Sequence, residues 1–458
     1  MRSNSSLSAA SPSHGMRRGL FSFLSFGIAV LFLMAASASA ATQTLAVGST
    51  GDLSGSCTST SPPASSCTTL RAAITQANLD TGGTIIFSSN VTGTITLTSA
   101  LPAISEDLSI EGPGAGTLTI SGNHAYQILD FTSSVDQISG LTLADGYGQN
   151  VDNSVYGGGT IAYDSYSGTL TVTNCSFTGN SSGSGYAGGA IATVFDDSSA
   201  TVNVTNSTFS GNSADNVGGA ILSSGKLAVS NSIFAGNSAP SGVPPGGGIG
   251  NYFGGTITSE SNNLFYNNAD GDASFTLSTT DVSANPMLAP LGNYGGPTQT
   301  MLLLPGSAAI CAGSASDVPS GTTTDQRGFS RTTTYTINGS SKVCVDIGAV
   351  QTDYTSIQFT NAPTNGYSAT AGQAASPAPI VSVTENGQNI GGIPVSLTFS
   401  GTGTASNTGP VDTVAGAGAT FSDLTVSQAG NDTLSSTLNL FTPSGSTTPV
   451  SITAGSVA

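Results

Sequence analysis

Gly188-Gly189-Ala190-Ile191 and then Asn206-Ser207-Thr208-Phe209-Ser210-Gly211-Asn212 decide the reading of this chain, because both return in order along it. The glycine step recurs as Gly158-Gly159-Thr160-Ile161, Gly218-Gly219-Ala220-Ile221 and Gly246-Gly247-Gly248-Ile249. The second part, Asn-x-x-Phe-x-x-Asn, recurs as Asn174/Phe177/Asn180, Asn231/Phe234/Asn237 and Asn262/Phe265/Asn268. Successive isoleucines lie 30, 30 and 28 residues apart, and successive phenylalanines 32, 25 and 31. A repeat of roughly 20–50 residues that keeps its anchors while its spacers vary marks a solenoid with loops of unequal length.

Each repeat also carries a short alternating segment, Leu170 to Thr173, Val202 to Thr205 or Leu227 to Ser230, ending just before the first asparagine. Apolar and polar residues in strict alternation indicate half-buried strands. With no hairpin pairs between them, the strands are expected to stack in parallel, coil on coil. Phe177, Phe209, Phe234 and Phe265 then form one inward column, and Ile161, Ile191, Ile221 and Ile249 a second. The motif asparagines, Asn180, Asn212, Asn237 and Asn268 among them, are expected to form amide ladders at the turns. The glycine pairs are expected to supply backbone angles closed to other residues.

Upstream, Arg17-Arg18, the apolar run Leu20 to Met34 and Ala36-Ser37-Ala38-Ser39-Ala40 read as a signal peptide over residues 1–40, and export as its consequence. No second long apolar stretch follows, so no transmembrane span is expected after its removal. Three of the eight basic residues lie in those 40 positions and none of the 25 acids does, leaving five basic against 25 acidic residues, a net charge of −20. Nucleic acids and anionic lipid surfaces need clustered Lys and Arg, so neither partner is expected.

Residues 41–80 read as an N-terminal cap. In it Leu70, Ile74 and Ala77 share one face of the best helix candidate, which suits it to cover an open solenoid end. Residues 81–350 read as the parallel β-helix with a C-terminal cap, in which Asp325, Arg327 and Asp346 are expected to form an ion-paired network. Residues 355–458 hold short alternating strands between Gly, Asn and Ser turns, about 100 residues in the style of an immunoglobulin-like β-sandwich. Two local disulfides are expected, Cys57 with Cys67 and Cys311 with Cys344, as an exported chain permits. Cys175 occupies the slot of Ser207 and Ser232 in the next repeats and reads as a small core or turn residue.

The glycine step and Phe-x-x-Asn together resemble the polymorphic outer membrane protein repeat of bacterial surface proteins, GGAI and FxxN punctuating a right-handed parallel β-helix. The steps at 188 and 218 match fully, whereas those at 158 and 246 carry Thr160 and Gly248 in place of alanine. Cys67-Thr68-Thr69-Leu70-Arg71-Ala72-Ala73-Ile74 resembles the CSLREA-type N-terminal motif of such proteins. The stretch from Gly295 to Gly313, with Asp325-Gln326-Arg327-Gly328 and Asp346-Ile347-Gly348-Ala349, resembles their choice-of-anchor C-terminal cap. The resemblance implies surface display or adhesion, and it brings no catalytic residues or cofactor. It also brings no means of anchorage that these residues identify.

The expected role is therefore a non-catalytic, structural or adhesive one, with an extracellular glycan or surface protein as partner. The alternative is a β-helix glycoside hydrolase, or with less support a polysaccharide lyase. A lyase groove for an anionic polymer needs positive charge, and Lys226 is the only basic residue between Arg71 and Arg327. A hydrolase needs converging carboxylates, for which Asp145, Asp152, Asp164, Asp196, Asp197 and Asp215 are the coil-loop candidates. The oxygen-rich run Asn267-Asn268-Ala269-Asp270-Gly271-Asp272 is a weak calcium candidate, against which it reads as ordinary turn chemistry. Tyr147, Tyr156, Tyr163, Tyr166 and Tyr186 fall in early loops, where rings stack on sugars or pack on neighbouring coils.

Overall fold

A computed structural model describes residues 43–61, 64–113, 118–148, 157–183, 188–193, 199–215, 217–239, 247–251, 254–268, 277–296, 298–337, 340–438 and 444–453. Among the described residues from Thr44 to Ser283 the chain is all-β apart from one helix, and its strands form three long stacks. The first sheet runs from the hairpin Cys57–Ser61/Ala64–Cys67 through Thr44–Val47 and successive coils to Thr256–Ser261, ten strands in all. The second runs from Gly93–Thr96 to Val282–Ser283, and the third from Leu129–Phe131 to Ile249–Asn251. Every pairing in these sheets is parallel except that hairpin. Sequence neighbours thus lie in different sheets while equivalent residues of successive coils lie side by side, as in a β-helix solenoid.

Alternation sets what each stack buries. In Ser176-Phe177-Thr178 the ring points inward, and it pairs in register with Phe209, then Phe234, then Phe265. Ring centroids are 4.5, 5.0 and 5.1 Å apart with planes within 8° of parallel. Ile161, Ile191, Ile221 and Ile249 align likewise in the third sheet, fully enclosed. Each such side chain contributes about 1.5–3 kcal/mol by burial, and the stacked rings about 0.5–1.5 kcal/mol more per pair.

The two asparagines of the motif do different work. Asn180, Asn212, Asn237 and Asn268 form the expected ladder: each Nδ2 donates to the next Oδ1 at 2.9, 2.9 and 3.0 Å. Each of those Oδ1 atoms also accepts the backbone N–H of the preceding asparagine, at 3.0–3.1 Å. The first asparagines, Asn174, Asn206, Asn231 and Asn262, do not. They hold left-handed backbone, φ 47–54°, which asparagine tolerates better than most residues. Their side chains point outward.

The glycine pairs correct an expectation. Of Gly158, Gly159, Gly188, Gly189, Gly218 and Gly219 only Gly218 has positive φ. What the position demands is space. A Cβ on Gly158 or Gly188 would collide with the carbonyl oxygen three residues on, at Ile161 or Ile191; one on Gly159 or Gly189 would strike the carbonyl of the next coil, at Gly189 or Gly219.

The helix Leu70–Leu79 is capped by Thr69, whose hydroxyl accepts the Ala72 N–H at 3.1 Å, and it buries Leu70, Ala72, Ala73, Ile74 and Ala77. Arg71 leaves the opposite side to grip Asp52 through both carboxylate oxygens, 2.7 and 2.9 Å. Asp52 in turn accepts the Thr98 N–H and hydroxyl, tying the helix to the early coils.

Residues 298–337 and 340–352 lie along the outside of the second sheet, crossing successive coils more than once. The outward positions Thr142, Ser176 and Thr208 are buried because this strap covers them. Gln326 donates to Thr142 Oγ1 and accepts from Ser176 Oγ, and the Ala349 N–H reaches Thr208. The outward asparagines dock it. Asn174 donates to the Thr324 carbonyl, Asn206 accepts from Arg331, and Asn231 makes a reciprocal pair with the Ser314 backbone at 2.8 and 2.9 Å. From Tyr354 onward the strands form two four-stranded sheets and two two-stranded pairs, antiparallel except where Tyr367–Thr370 meets Ser444–Thr453. One apolar cluster runs from Ile233 and Leu264 through Leu302, Leu303 and Ile347 into Ile357, Val381 and Val383 of these sheets.

Candidate functional site

Both expected disulfides are present, Cys57–Cys67 across the N-terminal hairpin and Cys311–Cys344 within the strap. Cys175 is free and fully buried, its thiol pushed up to about 12 by burial, with Sγ 3.3 Å from the Thr173 carbonyl oxygen. That is a packed thiol, unsuited to nucleophilic work. The phenylalanines and the ladder asparagines of the repeat turn inward, and the first asparagines are taken up by the strap.

The ion-paired network of the strap is built differently from the expectation. Arg327 is enclosed and binds Asp325 through Nε at 3.0 Å, but its other partner is Glu385, gripped by both terminal nitrogens at 2.8 and 3.0 Å. Burial alone would lower the guanidinium's pKa; Asp325 and Glu385 instead hold it above its ordinary value. Asp346 is bound by the Cys311 and Thr352 backbone N–H groups and the Thr352 hydroxyl, and Arg331 reaches its backbone carbonyl. The Arg327–Glu385 pair joins the strap to the C-terminal sheets, while Asp346 and Arg331 hold the strap to itself and to Asn206 of the solenoid.

A cleft that combines an acid with aromatic walls lies at the early end of the third sheet. It measures about 310 Å³, and Ala100, Leu101, Tyr126, Gln127, Asp130 and Tyr147 are among its lining residues. Its position follows from the alternation Leu129-Asp130-Phe131. Leu129 and Phe131 enter the core, so Asp130 faces out, on the first strand of that sheet. Tyr126 and Tyr147 are brought together by the Tyr147 N–H donating to the Tyr126 carbonyl at 3.0 Å. Gln127 is steadied by its Nε2, which donates to the Leu129 carbonyl.

Asp130 Oδ1 is buried and accepts no hydrogen bond. Burial, and then the negative charge of Asp164 one coil on, raise the Asp130 pKa above the ordinary carboxylate value. Asp164 is itself raised by burial. Of the six coil-loop acids expected as candidates, then, Asp164 lies close enough to act on this site electrically. Asp145 instead meets His124 at 3.5 Å and Ser121, and Asp215 is exposed. Asp152, Asp196 and Asp197 lie outside the described residues, as do Asp270 and Asp272 of the calcium run. No group of three His, Cys, Asp or Glu placed to hold a metal occurs among the described residues. Asp130 was absent from the sequence candidates because one polar residue in an otherwise apolar strand carries no repeat signal. Its only trace was an acid at an alternating position.

The tyrosines separate as well. Tyr147 is half-buried and lines the cleft. Tyr163 is not a surface ring: it is fully buried, edge-on to Phe131 at 6.5 Å, with its hydroxyl donating to the Ser134 carbonyl. Tyr166 stands 76% exposed, and Tyr156 and Tyr186 lie outside the described residues. Among the described residues no helix is long and apolar enough to cross a membrane. Compared with protein-family models and with curated proteins, the chain matches none.

Proposed function

We propose that this chain is an exported, surface-displayed structural or adhesive protein, a right-handed β-helix followed by an immunoglobulin-like β-sandwich, which binds a glycan or another protein without transforming it. The observation that carries the reading is the direction of the repeated side chains. Phenylalanine, isoleucine and ladder asparagine all turn inward to hold coil on coil, so the repeat specifies a scaffold and the unequal loops are left for recognition. The resemblance to polymorphic outer membrane protein repeats supports the same placement.

Charge narrows the partner. Arg71, Arg327 and Arg331 are committed to internal contacts, leaving Lys226 and Lys342 as the exposed basic residues past residue 40. Polyanions therefore have little to hold. The test is cell fractionation of the native host with detection of the processed chain, followed by adhesion and glycan-array binding of the purified protein. A processed chain retained in the cytoplasm would sink the proposal.

A second reading, glycoside hydrolysis, is favoured by the Asp130 and Asp164 pair, since an acid raised by burial and by a neighbouring charge is suited to proton donation. Release of reducing ends from a neutral polysaccharide, abolished in Asp130→Asn, would establish it in place of the first.

A further inference from the structure

We propose that the cleft bounded by Leu101, Tyr126, Gln127, Asp130 and Tyr147 is a binding site for a short segment of neutral saccharide. The proposal rests on the glycan branch of the function proposed above, and gives it a place and a ligand class.

Four observations converge. The volume, about 310 Å³, falls at the lower end of the roughly 300–1,000 Å³ range of ligand sites, which suits one or two sugar rings. Two half-buried tyrosines bound it, and an aromatic face is the surface on which the C–H side of a pyranose packs. Asp130 lines the cleft with its Oδ1 enclosed and its hydrogen-bonding capacity unmet, a cost that a turn of the carboxylate toward a ligand hydroxyl in the cleft would relieve. Gln127 has its Nε2 engaged by the Leu129 carbonyl, which fixes the amide at the rim beside Asp130.

Charge then selects among ligands. Among the described residues no lysine, arginine or histidine lines the cleft, so a uronate or sulfated sugar would bring a negative charge toward Asp130 and Asp164 without a counter-ion. A polyhydroxylic, uncharged ligand meets no such repulsion and matches a lining of two tyrosines, an amide and one carboxylate; choline tests the cationic alternative.

The experiment is titration calorimetry of the processed chain with neutral oligosaccharides of two to four units (gluco-, manno-, xylo- and galacto-configured). Matched uronate and sulfated oligosaccharides and choline serve as charged counter-probes. Tyr126→Ala and Asp130→Leu are each expected to weaken neutral binding at least tenfold. Asp130→Asn, which keeps an acceptor, should stay within about threefold, and Tyr166→Ala, on an exposed loop ring, should leave it unchanged. Circular dichroism and thermal melting confirm that each variant is folded. Neutral binding that survives Tyr126→Ala and Asp130→Leu overturns the cleft assignment while leaving an adhesive role standing. Stronger binding of a charged probe, or no binding of any neutral saccharide, overturns the ligand class; cell adhesion retained in that case keeps the wider proposal alive. Cleavage of the bound saccharide would keep the site and replace the non-catalytic reading.

Discussion

At the scale of one residue, Asn212 shows how much a repeated amide does. Its Oδ1 accepts from both the backbone and the side chain of Asn180, and its Nδ2 donates to Asn237 Oδ1 and to the Phe177 carbonyl. Asn212→Ala leaves several fully enclosed groups without partners, at about 1–3 kcal/mol for each buried group stranded. The expected loss is about 3 kcal/mol or more, read from the denaturant midpoint by circular dichroism. A loss below about 1 kcal/mol would mean that water replaces the ladder. Asp136 carries a different consequence. Burial, opposed by bonds from Ser133 and the Leu108 N–H and reinforced by Asp107, raises its carboxyl from 3.8 to about 6. A folded-state value above the unfolded one favours the protonated fold, so this contribution is complete below about pH 4 and is lost as pH rises through 6. The fold should be more stable at pH 4.5 than at pH 7, by on the order of 1 kcal/mol from this group once solvent screening is allowed for, read as a higher melting temperature at the lower pH. Asp136→Asn should flatten that slope. Asp130, Asp164, Asp346 and Asp353 are raised as well and add in the same direction.

At the scale of an element, the two glycine positions of each coil make opposite predictions. Gly189→Ala puts a methyl group into the Gly219 carbonyl and the Ser213 backbone, neither of which has room to yield. Gly211→Ala meets nothing within 4 Å and carries only the strain of φ 65°, on the order of 1 kcal/mol. Thermal melting should therefore separate the two variants clearly; equal losses would show that backbone angle governs both sites. This distinction was invisible in the sequence, where Gly-Gly signals conformational freedom and crowding alike. The Phe and Ile columns were legible because burial at a constant phase leaves a periodic trace. The strap was not, since it is held by irregular backbone and by single side chains such as Gln326 and Arg331, which follow no period. Asp130 was hidden for the same reason.

At the scale of the whole molecule, solenoid, strap and C-terminal sheets share one apolar cluster and a buried ion pair beside it. Arg327 is the cation that two enclosed carboxylates share, one in the strap and one in the sheet strand Ile380–Glu385. Arg327→Met preserves bulk but strands Asp325 and Glu385 without a counter-charge, a defect that costs about 3–5 kcal/mol. Limited proteolysis should then release the C-terminal sheets at temperatures where the wild type resists, with the cuts mapped by mass spectrometry. A wild-type digestion pattern in that variant would show that the apolar cluster alone secures the junction.

The docking of Thr324, Arg331 and Ser314 onto Asn174, Asn206 and Asn231 also makes the strap a ruler. Solenoids ordinarily gain or lose a turn by recombination with little penalty, because neighbouring turns are interchangeable. Here a missing turn would slide the teeth on one side of it by one notch against the rest, about 4.8 Å, and the strap would no longer mesh. The number of coils beneath it is thus set by a segment that lies outside the repeat, and drift in either is tolerable only if the other changes to suit.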